Sequence, residues 1–167
     1  MAANIFMDFD DITGDGTETN HEGWVVLESC SWNVERAVDM TDIGSTQRGH
    51  ANSNFGKLEC ATLVGMASND LMLSVANGTI RPEIIMHWCR SGETAGEGLK
   101  EYCIWKLKES IVDSYNVSAS ADGIPEATFT LAYQALEVEF KESDLKTGKL
   151  TTANTFKWNV VTGLSEY

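Results

Sequence analysis

The chain has 167 residues, which fits one domain, and its 43% hydrophobic and 22% charged residues are typical of a globular fold with a single core. Asp and Glu number 25 against 12 Lys and Arg, and the net charge of −13 repels phosphate backbones and anionic lipids. This excludes nucleic acid as a partner. No run approaches the roughly 18 apolar residues that span a bilayer, so membrane insertion is excluded as well. Met1 to Asp8 contain no basic region, which predicts a protein made without a cleavable secretory signal.

Apolar and polar residues alternate through most of the chain, and this period of two predicts β-strands. Strands are expected at residues 5–9, 24–32, 57–63, 83–89, 102–112, 128–140 and 156–160. In the second of these, the alternation assigns Trp24, Val26, Cys30 and Trp32 to one face. In the fifth, it assigns Cys103, Trp105, Leu107 and Ile111 to one face.

Two places break this alternation. Ser68 to Gly78 has cap-type residues at its start, Leu71 and Val75 four apart, and Asn-Gly at its end, which predicts one short helix. In the segment 128–140 the apolar positions change parity after Tyr133, which predicts a bulge or a bend across a barrel corner.

About eight strands, one short helix and no linker-like composition indicate a single β-barrel or a tight sandwich. The expected fold is mainly β: one antiparallel β-barrel with a short flanking α-helix and a long extended loop, in one domain over residues 1–167.

The long loop between Trp32 and Phe55 shows little strand or helix pattern. Loops of that length are uncommon in compact domains and tend to be functional or disordered. Apolar residues at Val38, Met40 and Ile43 need a surface to bury against. The loop therefore either folds back on its own barrel or reaches a neighbouring subunit.

The strongest motif for ligand binding is an acidic turn near the N-terminus. Asp11, Thr13, Asp15, Gly16 and Glu22 nearly match the spacing of a twelve-residue calcium loop, whose hard oxygen ligands suit Ca²⁺. The flanking segments are predicted strands and not the paired helices of an EF-hand, so an ordinary turn between strands is the competing interpretation.

No catalytic, cofactor or metal residues are predicted. Four cysteines without a Cys-x-x-Cys pair indicate buried or half-buried free thiols made in a reducing compartment. His21, His50 and His87 lack zinc-ligand spacing. A hydrolase would require one of these histidines to meet an acid and a nucleophile in the folded chain. Glu137 and Glu139 are expected to form a solvated or interface-facing stripe.

The order of the pieces resembles the hemolysin-coregulated protein family over nearly the whole chain. The resemblance rests on the turn from Asp11 to Gly16, the strand end Ser31-Trp32, the strand Lys106-Leu107-Lys108, and Lys157-Trp158-Asn159 near the C-terminus.

This resemblance implies a β-barrel that assembles into homo-hexameric rings stacked as a hollow tube. The tube is propelled by a contractile sheath, carries a spike protein at its tip and holds effector proteins in its lumen. The chain would be made in the bacterial cytoplasm and secreted or injected through the type VI system. Val38, Met40 and Ile43 then become candidate anchors to an adjacent subunit or ring. Ser29 and Ser31 become candidate lumen-facing residues, with solvent-exposed serines of no special role as the alternative.

A function of another class remains open, namely a monomeric β-barrel that binds a small ligand or calcium through its acidic first loop. Rings with a central hole in electron micrographs would favour the tube, and compact single particles would favour the binding module.

Overall fold

The computed structural model describes residues 4–38, 52–92 and 96–167. The elements in chain order are β1 (Ile5–Asp8), β2 (Val25–Leu27), β3 (Ser29–Ser31), β4 (Val34–Arg36), β5 (Ser53–Phe55), β6 (Leu58–Leu63), α1 (Ser68–Asn77), β7 (Ile80–Ser91), β8 (Leu99–Ser118), β9 (Glu126–Ala132), β10 (Ala135–Ser143) and β11 (Leu150–Asn159). The fold is mainly β, as predicted, and all its strand pairs are antiparallel.

Within these residues, nine strands form one sheet in the order β2-β1-β7-β8-β9-β6-β3, while β10 pairs with β8 and carries β11 on its other side. Strands β4 and β5 form a separate two-stranded ribbon inside the long loop, which the sequence pattern did not predict. Because β2 and β3 lie at opposite ends of the sheet order yet follow each other in the chain, the sheet curls round a common core. Strand pairing as described does not close it into a barrel.

The predicted second strand is split at Glu28. Val25 and Leu27 pair with β1 and face the core, whereas Cys30 faces the core from β3, which pairs with β6. The prediction that Val26 and Cys30 share a continuous face is therefore wrong, because the chain passes from one partner strand to another at Glu28.

The parity change predicted near Tyr133 marks a corner between two strands. Strands β9 and β10 both pair with β8, and the register is the same on either side, with Ala132 opposite Ile111 and Ala135 opposite Lys108. Strand β8 changes its buried face at the same level, beside Glu109, whose φ is 48°.

On β8 the buried positions are Cys103, Trp105 and Leu107 before this corner and Ser110 and Val112 after it. The prediction that Ile111 continues the face of Leu107 is wrong, because that prediction assumed an unbroken strand. Ile111 is only partly buried.

Helix α1 spans Ser68–Asn77, close to the predicted range, and ends at Gly78, whose left-handed φ of 68° lets its N–H donate to the carbonyl of Ser74 at 3.0 Å. Leu71 is fully buried and the helix packs on β8. Among the described residues, no helix has the length and apolar character needed to cross a membrane.

Leu71 gives a direct test of how α1 is held. Leu71→Ala should lower the free energy of unfolding by about 2–5 kcal/mol, since it leaves a cavity in the packed core. Leu73→Ala, on the same helix but 58% exposed, should change it by less than about 0.5 kcal/mol. Urea denaturation followed by circular dichroism measures both, and equal effects would contradict this packing.

Candidate functional site

The two candidate lumen residues lie on the outer side of β3. Ser29 and Ser31 are both exposed, on either side of the core-facing Cys30, and pair with Ala61 and Glu59 of β6. The Ser31 hydroxyl donates to the Glu59 carboxylate at 3.5 Å. The geometry makes both serines available to a partner and does not identify that partner.

The base of the long loop is anchored by aromatic side chains. The Trp32 Nε1–H donates to the Tyr133 hydroxyl at 2.6 Å, and that hydroxyl donates to the Gly56 carbonyl at 2.8 Å. Phe55 stacks on Trp158 of β11 with ring centroids 5.6 Å apart. The β4–β5 ribbon therefore starts from a rigid base in the core.

Of the three predicted loop anchors, Val38 lies in the described part of the chain and is 39% exposed. Met40 and Ile43 lie outside the described residues.

The core-facing side of β10 and β11 extends past the core into solvent. Along β10, Leu136 is fully buried, Val138 is partly buried and Phe140 is 47% exposed. On the paired strand, Trp158 is partly buried and Phe156 is 42% exposed. Apolar side chains that continue a core face beyond the core are typical of a surface that a partner covers.

Among the described strands β11 pairs only with β10, and its other edge is open except at the C-terminal end. There Asn159 forms a bridge with Leu164, and the Ser165 hydroxyl donates to the Lys157 carbonyl at 3.2 Å. The Val160 N–H donates to the Gln134 carbonyl, so Ala135 and Asn159 between them are a non-hydrogen-bonded pair. Pair types alternate along an antiparallel ladder, so Thr155 and Lys157 direct their backbone N–H and C=O groups away from β10. An exposed row of such groups is a template for pairing with another chain.

Two of the motifs behind the family resemblance meet at Glu137. Lys106 of β8 and Lys157 of β11 are its register partners on either side, at 3.3 and 2.9 Å from its carboxylate. Burial acts to raise the pKa of Glu137, but the hydrogen bonds from Lys157 and Lys106 outweigh it and lower the pKa. The solvated alternative is therefore wrong for Glu137, which is 8% exposed and connects three strands, while the interface-facing alternative stays a prediction.

Two clefts with opposite charge lie at the two ends of β7. The cleft of about 470 Å³ at its C-terminal end is lined by four cationic and two acidic side chains: Arg90, Lys100, Lys141, Lys149, Glu97 and Glu101. The cleft of about 400 Å³ at its N-terminal end is lined by four acidic side chains and one arginine: Asp8, Asp10, Asp11, Glu83 and Arg81. The two ends of β7 thus carry clefts of opposite charge.

The acidic first loop does not assemble calcium ligands. Asp11 accepts two hydrogen bonds from Arg81, at 2.5 and 2.9 Å, while Asp15 accepts one from the Met66 N–H at 3.1 Å. Gly16 instead packs its backbone against the chain at Trp24. Across the described ranges, no three His, Cys, Asp or Glu side chains are placed to hold a metal ion.

The fold does bring two of the three histidines together, which their spacing did not indicate. His21 donates through Nδ1 to the Glu18 carboxylate at 2.5 Å, and its Nε2 lies 3.0 Å from His87 Nδ1 and 3.6 Å from the Cys89 sulfur. His50 lies outside the described residues. Two signals in the sequence could have indicated this cluster. Alternation places His87 and Cys89 on one side of β7, and only two residues separate Glu18 from His21.

This acid–histidine–thiol group lacks the properties of a catalytic centre. His21 is 1% and Cys89 3% exposed, which leaves no access for a substrate. Burial, with the charges of Glu101 and Glu18, raises the pKa of Cys89 to about 12, so the thiol stays protonated and is a poor nucleophile. The group instead fixes the first loop, because Glu18 also accepts the Leu99 N–H at 3.0 Å.

Together, the curled antiparallel sheet and its one flanking helix define a mainly β protein. The family model described as "Type VI secretion system effector, Hcp" matches residues 6–140, and the chain belongs to this family.

Solved structures share the fold over nearly the full length. A type six secretion system protein whose source is not named superposes with a TM-score of 0.86 at 22% identity, covering 98% of this chain and 99% of that one. Hcp1 from Salmonella typhimurium gives a TM-score of 0.72 at 20% identity, with the same coverage. A type VI secretion system effector from Yersinia pestis gives 0.69 at 15% identity, covering 93% and 99%. A search of curated protein sequences found no match.

His87 predicts a pH dependence of stability. Burial, followed by the charge of His21, lowers the pKa of His87 to about 4, against about 6.5 in an unfolded chain. Lys141 acts in the same direction, whereas Glu101 and Asp8 act to raise this pKa. The unfolded chain therefore binds more protons here between these two pH values, and stability falls as the pH is lowered through that window.

His87→Gln should make this part of the acid loss disappear, since glutamine does not titrate. Urea midpoints measured from about pH 7.5 to about pH 4 compare the variant with the unchanged protein. The difference in urea midpoint between the two proteins should narrow or reverse as the pH falls. A difference that is the same at every pH would refute the assignment of this acid loss to His87.

Proposed function

We propose that the chain is a structural subunit of the type VI secretion inner tube, with a geometric and not a catalytic role. Copies form hexameric rings, rings stack into a hollow tube, and a contractile sheath expels the tube with a spike protein and effector proteins in its lumen. The protein is made in the bacterial cytoplasm and leaves through the type VI system, without nucleic acid or membrane partners. The single observation that carries this proposal is the open edge of β11 in a member of the Hcp family.

Within each subunit, the proposal includes closure of the curled sheet into a barrel. The seam is the contact of β2 with β6, where the Thr62 hydroxyl donates to the Val26 carbonyl at 2.7 Å and the Glu28 N–H donates to the Ala61 carbonyl at 2.8 Å. A closed barrel leaves β11 as the strand whose edge faces another copy.

Within a ring, the edge of β11 pairs with a neighbouring copy. The backbone N–H and C=O of Thr155 and the N–H of Lys157 supply directional hydrogen bonds, and burial of Phe140 and Phe156 supplies apolar contact area. A closed ring leaves no unpaired edge of this kind exposed.

Between rings, contact is supported by the charges at the two ends of β7. Head-to-tail stacking brings the basic cleft of one copy towards the acidic cleft of the next, which fixes the orientation of the stack. The loop residues Val38, Met40 and Ile43 are proposed as further anchors to an adjacent subunit or ring. Ser29 and Ser31 are proposed as part of the lumen surface, supported by their exposure on β3.

Thr155→Pro tests the ring contact. Proline removes the backbone N–H that points away from β10 and is tolerated on an edge strand whose N–H is not used within the sheet. We expect cooperative unfolding to persist while the hexamer mass is lost in sedimentation or mass photometry.

Thr155→Val is the matched control, since it keeps the N–H and suits a strand. Rings that survive Thr155→Pro unchanged would exclude the β11 edge as the contact. If the unchanged protein forms only compact single particles in electron micrographs, the tube function itself is wrong.

Deletion of residues 39–45 tests the loop anchors, because it removes Met40 and Ile43 and leaves Val38. The variant should form shorter stacks or fewer rings at equal concentration, as judged by particle mass and negative-stain images. Tubes and rings indistinguishable from those of the unchanged protein would refute a contact role for this loop.

A further inference from the structure

Two of the four cysteines face each other across a strand pair. In the ladder between β3 and β6, Cys30 is the register partner of Cys60, flanked by the pairs Ser29–Ala61 and Ser31–Glu59. Directly opposite residues point to the same side of a sheet, and here that side is the core. Cys60 is 2% exposed, and Cys30 is half-buried against the same core cluster.

Their spacing suits a disulfide. Opposite residues of an antiparallel pair have Cα atoms about 4.5 or 5.5 Å apart, depending on the pair type, and both values fall in the range that disulfides occupy, about 4.4–6.8 Å. Strand β3 has three residues and lies at the end of the sheet order, paired only with β6 among the described strands. It is therefore free to make the small approach that bond formation requires.

The other two thiols are placed differently. Cys103 lies on β8, which pairs with β7, β9 and β10 and not with β3 or β6. Cys89 lies on β7 against His21, at the point where the β7–β8 register shifts. Neither is a cross-strand partner of Cys30 or Cys60, although Cys103 faces the same core and, after burial, also acts to raise the pKa of Cys30.

We propose that Cys30 and Cys60 form an intramolecular disulfide when the protein enters an oxidising environment, using a small disulfide of the glutathione type as oxidant. Cys30 attacks the small disulfide first because it is half-buried, whereas Cys60 is nearly inaccessible. Cys30 loses its proton to solvent, its sulfur bonds to one sulfur of the small disulfide, and one small thiolate leaves and takes up a proton.

The Cys60 sulfur, deprotonated in turn, then displaces the second small thiolate from Cys30. The two protein thiols are thus oxidised by two electrons, and one small disulfide is reduced to two thiols.

The surroundings keep this pair reduced during synthesis. Burial, with a smaller contribution from the neighbouring Cys30 sulfur, raises the pKa of Cys60, and burial likewise raises that of Cys30. Few thiolates are then present at neutral pH, so exchange is slow and the reducing glutathione pool of the cytoplasm holds both thiols free. The timing of the oxidation, after export, rests on the proposed function. Formation of the bond does not rest on it.

The bond would close the chain from residue 30 to residue 60, which contains the β4–β5 ribbon and the segment outside the described residues. It would hold the edge strand β3 and both ends of the long loop on β6. In a tube that has left the cell, the bond would then keep both ends of the long loop attached to β6.

The test starts from fully reduced protein whose oligomer mass has been measured. A failure of the protein to form rings is then distinguished from a failure of the disulfide to form. It is equilibrated in glutathione buffers from reducing to oxidising, followed by alkylation and peptide mass spectrometry. We expect two of the four thiols to disappear, a linked Cys30–Cys60 peptide, and a melting temperature raised by roughly 5–15 °C.

Cys30→Ala should abolish both the linkage and the thermal shift, while Cys103→Ala, the matched control, should retain them. Cys30 is half-buried, so its replacement is the variant less prone to disturb folding than replacement of Cys60. The proposal is overturned if all four thiols persist in the oxidising buffer, if a mixed disulfide on Cys30 is the end product, or if the bond joins another pair.

Discussion

The rest of the structure depends on the hydrogen-bonded ladder of β8 and on the corner it shares with its neighbours. Strand β8 pairs with β7 along one edge and with β9 and then β10 along the other, so each remaining strand of the sheet is attached through one of these three. Both sides of the ladder change face at the same level, beside Glu109 and Gln134, and the register is preserved. Leu107 and Val112 can therefore both enter the core although they differ in parity.

How much of this follows from the sequence depends on which physical signal carries it. Alternation of apolar residues located the strands, and the Asn-Gly pair located the end of α1, because both are local properties of a segment. The predicted cap residues at the helix start were wrong, since the N-cap is Ala67 and has no side-chain cap hydrogen bond. Alternation reports the parity of a side chain and says nothing about the partner strand. The division at Glu28 was therefore missed, since Val25 and Cys30 both face the core while belonging to different strand pairs. The β4–β5 ribbon was missed because each of its strands has only three, mostly polar, residues, which is too short for an alternation of apolar and polar positions to be detected.

The contacts of the candidate surface required distances that the sequence does not contain. Glu137 looked solvated because both of its lysines lie far away in the chain, at Lys106 and Lys157. His21 and His87 looked isolated for the same reason. The family resemblance did single out both lysine motifs, and the structure gives a physical reason for them, because each supplies one side of the ion cluster that fixes β11 to β10 and β8.

This attachment of β11 bears on the proposed association of copies. With a net charge of −13, copies repel one another, but screening at physiological ionic strength limits that repulsion to roughly 8 Å. Only short-range interactions of fixed direction can then favour the proposed contact. The outward backbone groups of Thr155 and the Lys157 N–H are suited to provide them, beside the exposed side chains of Phe140 and Phe156. The ion pair of Glu137 with Lys157 holds β11 on β10 within the chain. The outer edge of β11 is therefore ordered before the proposed contact forms. Little conformational entropy then remains to be lost on association.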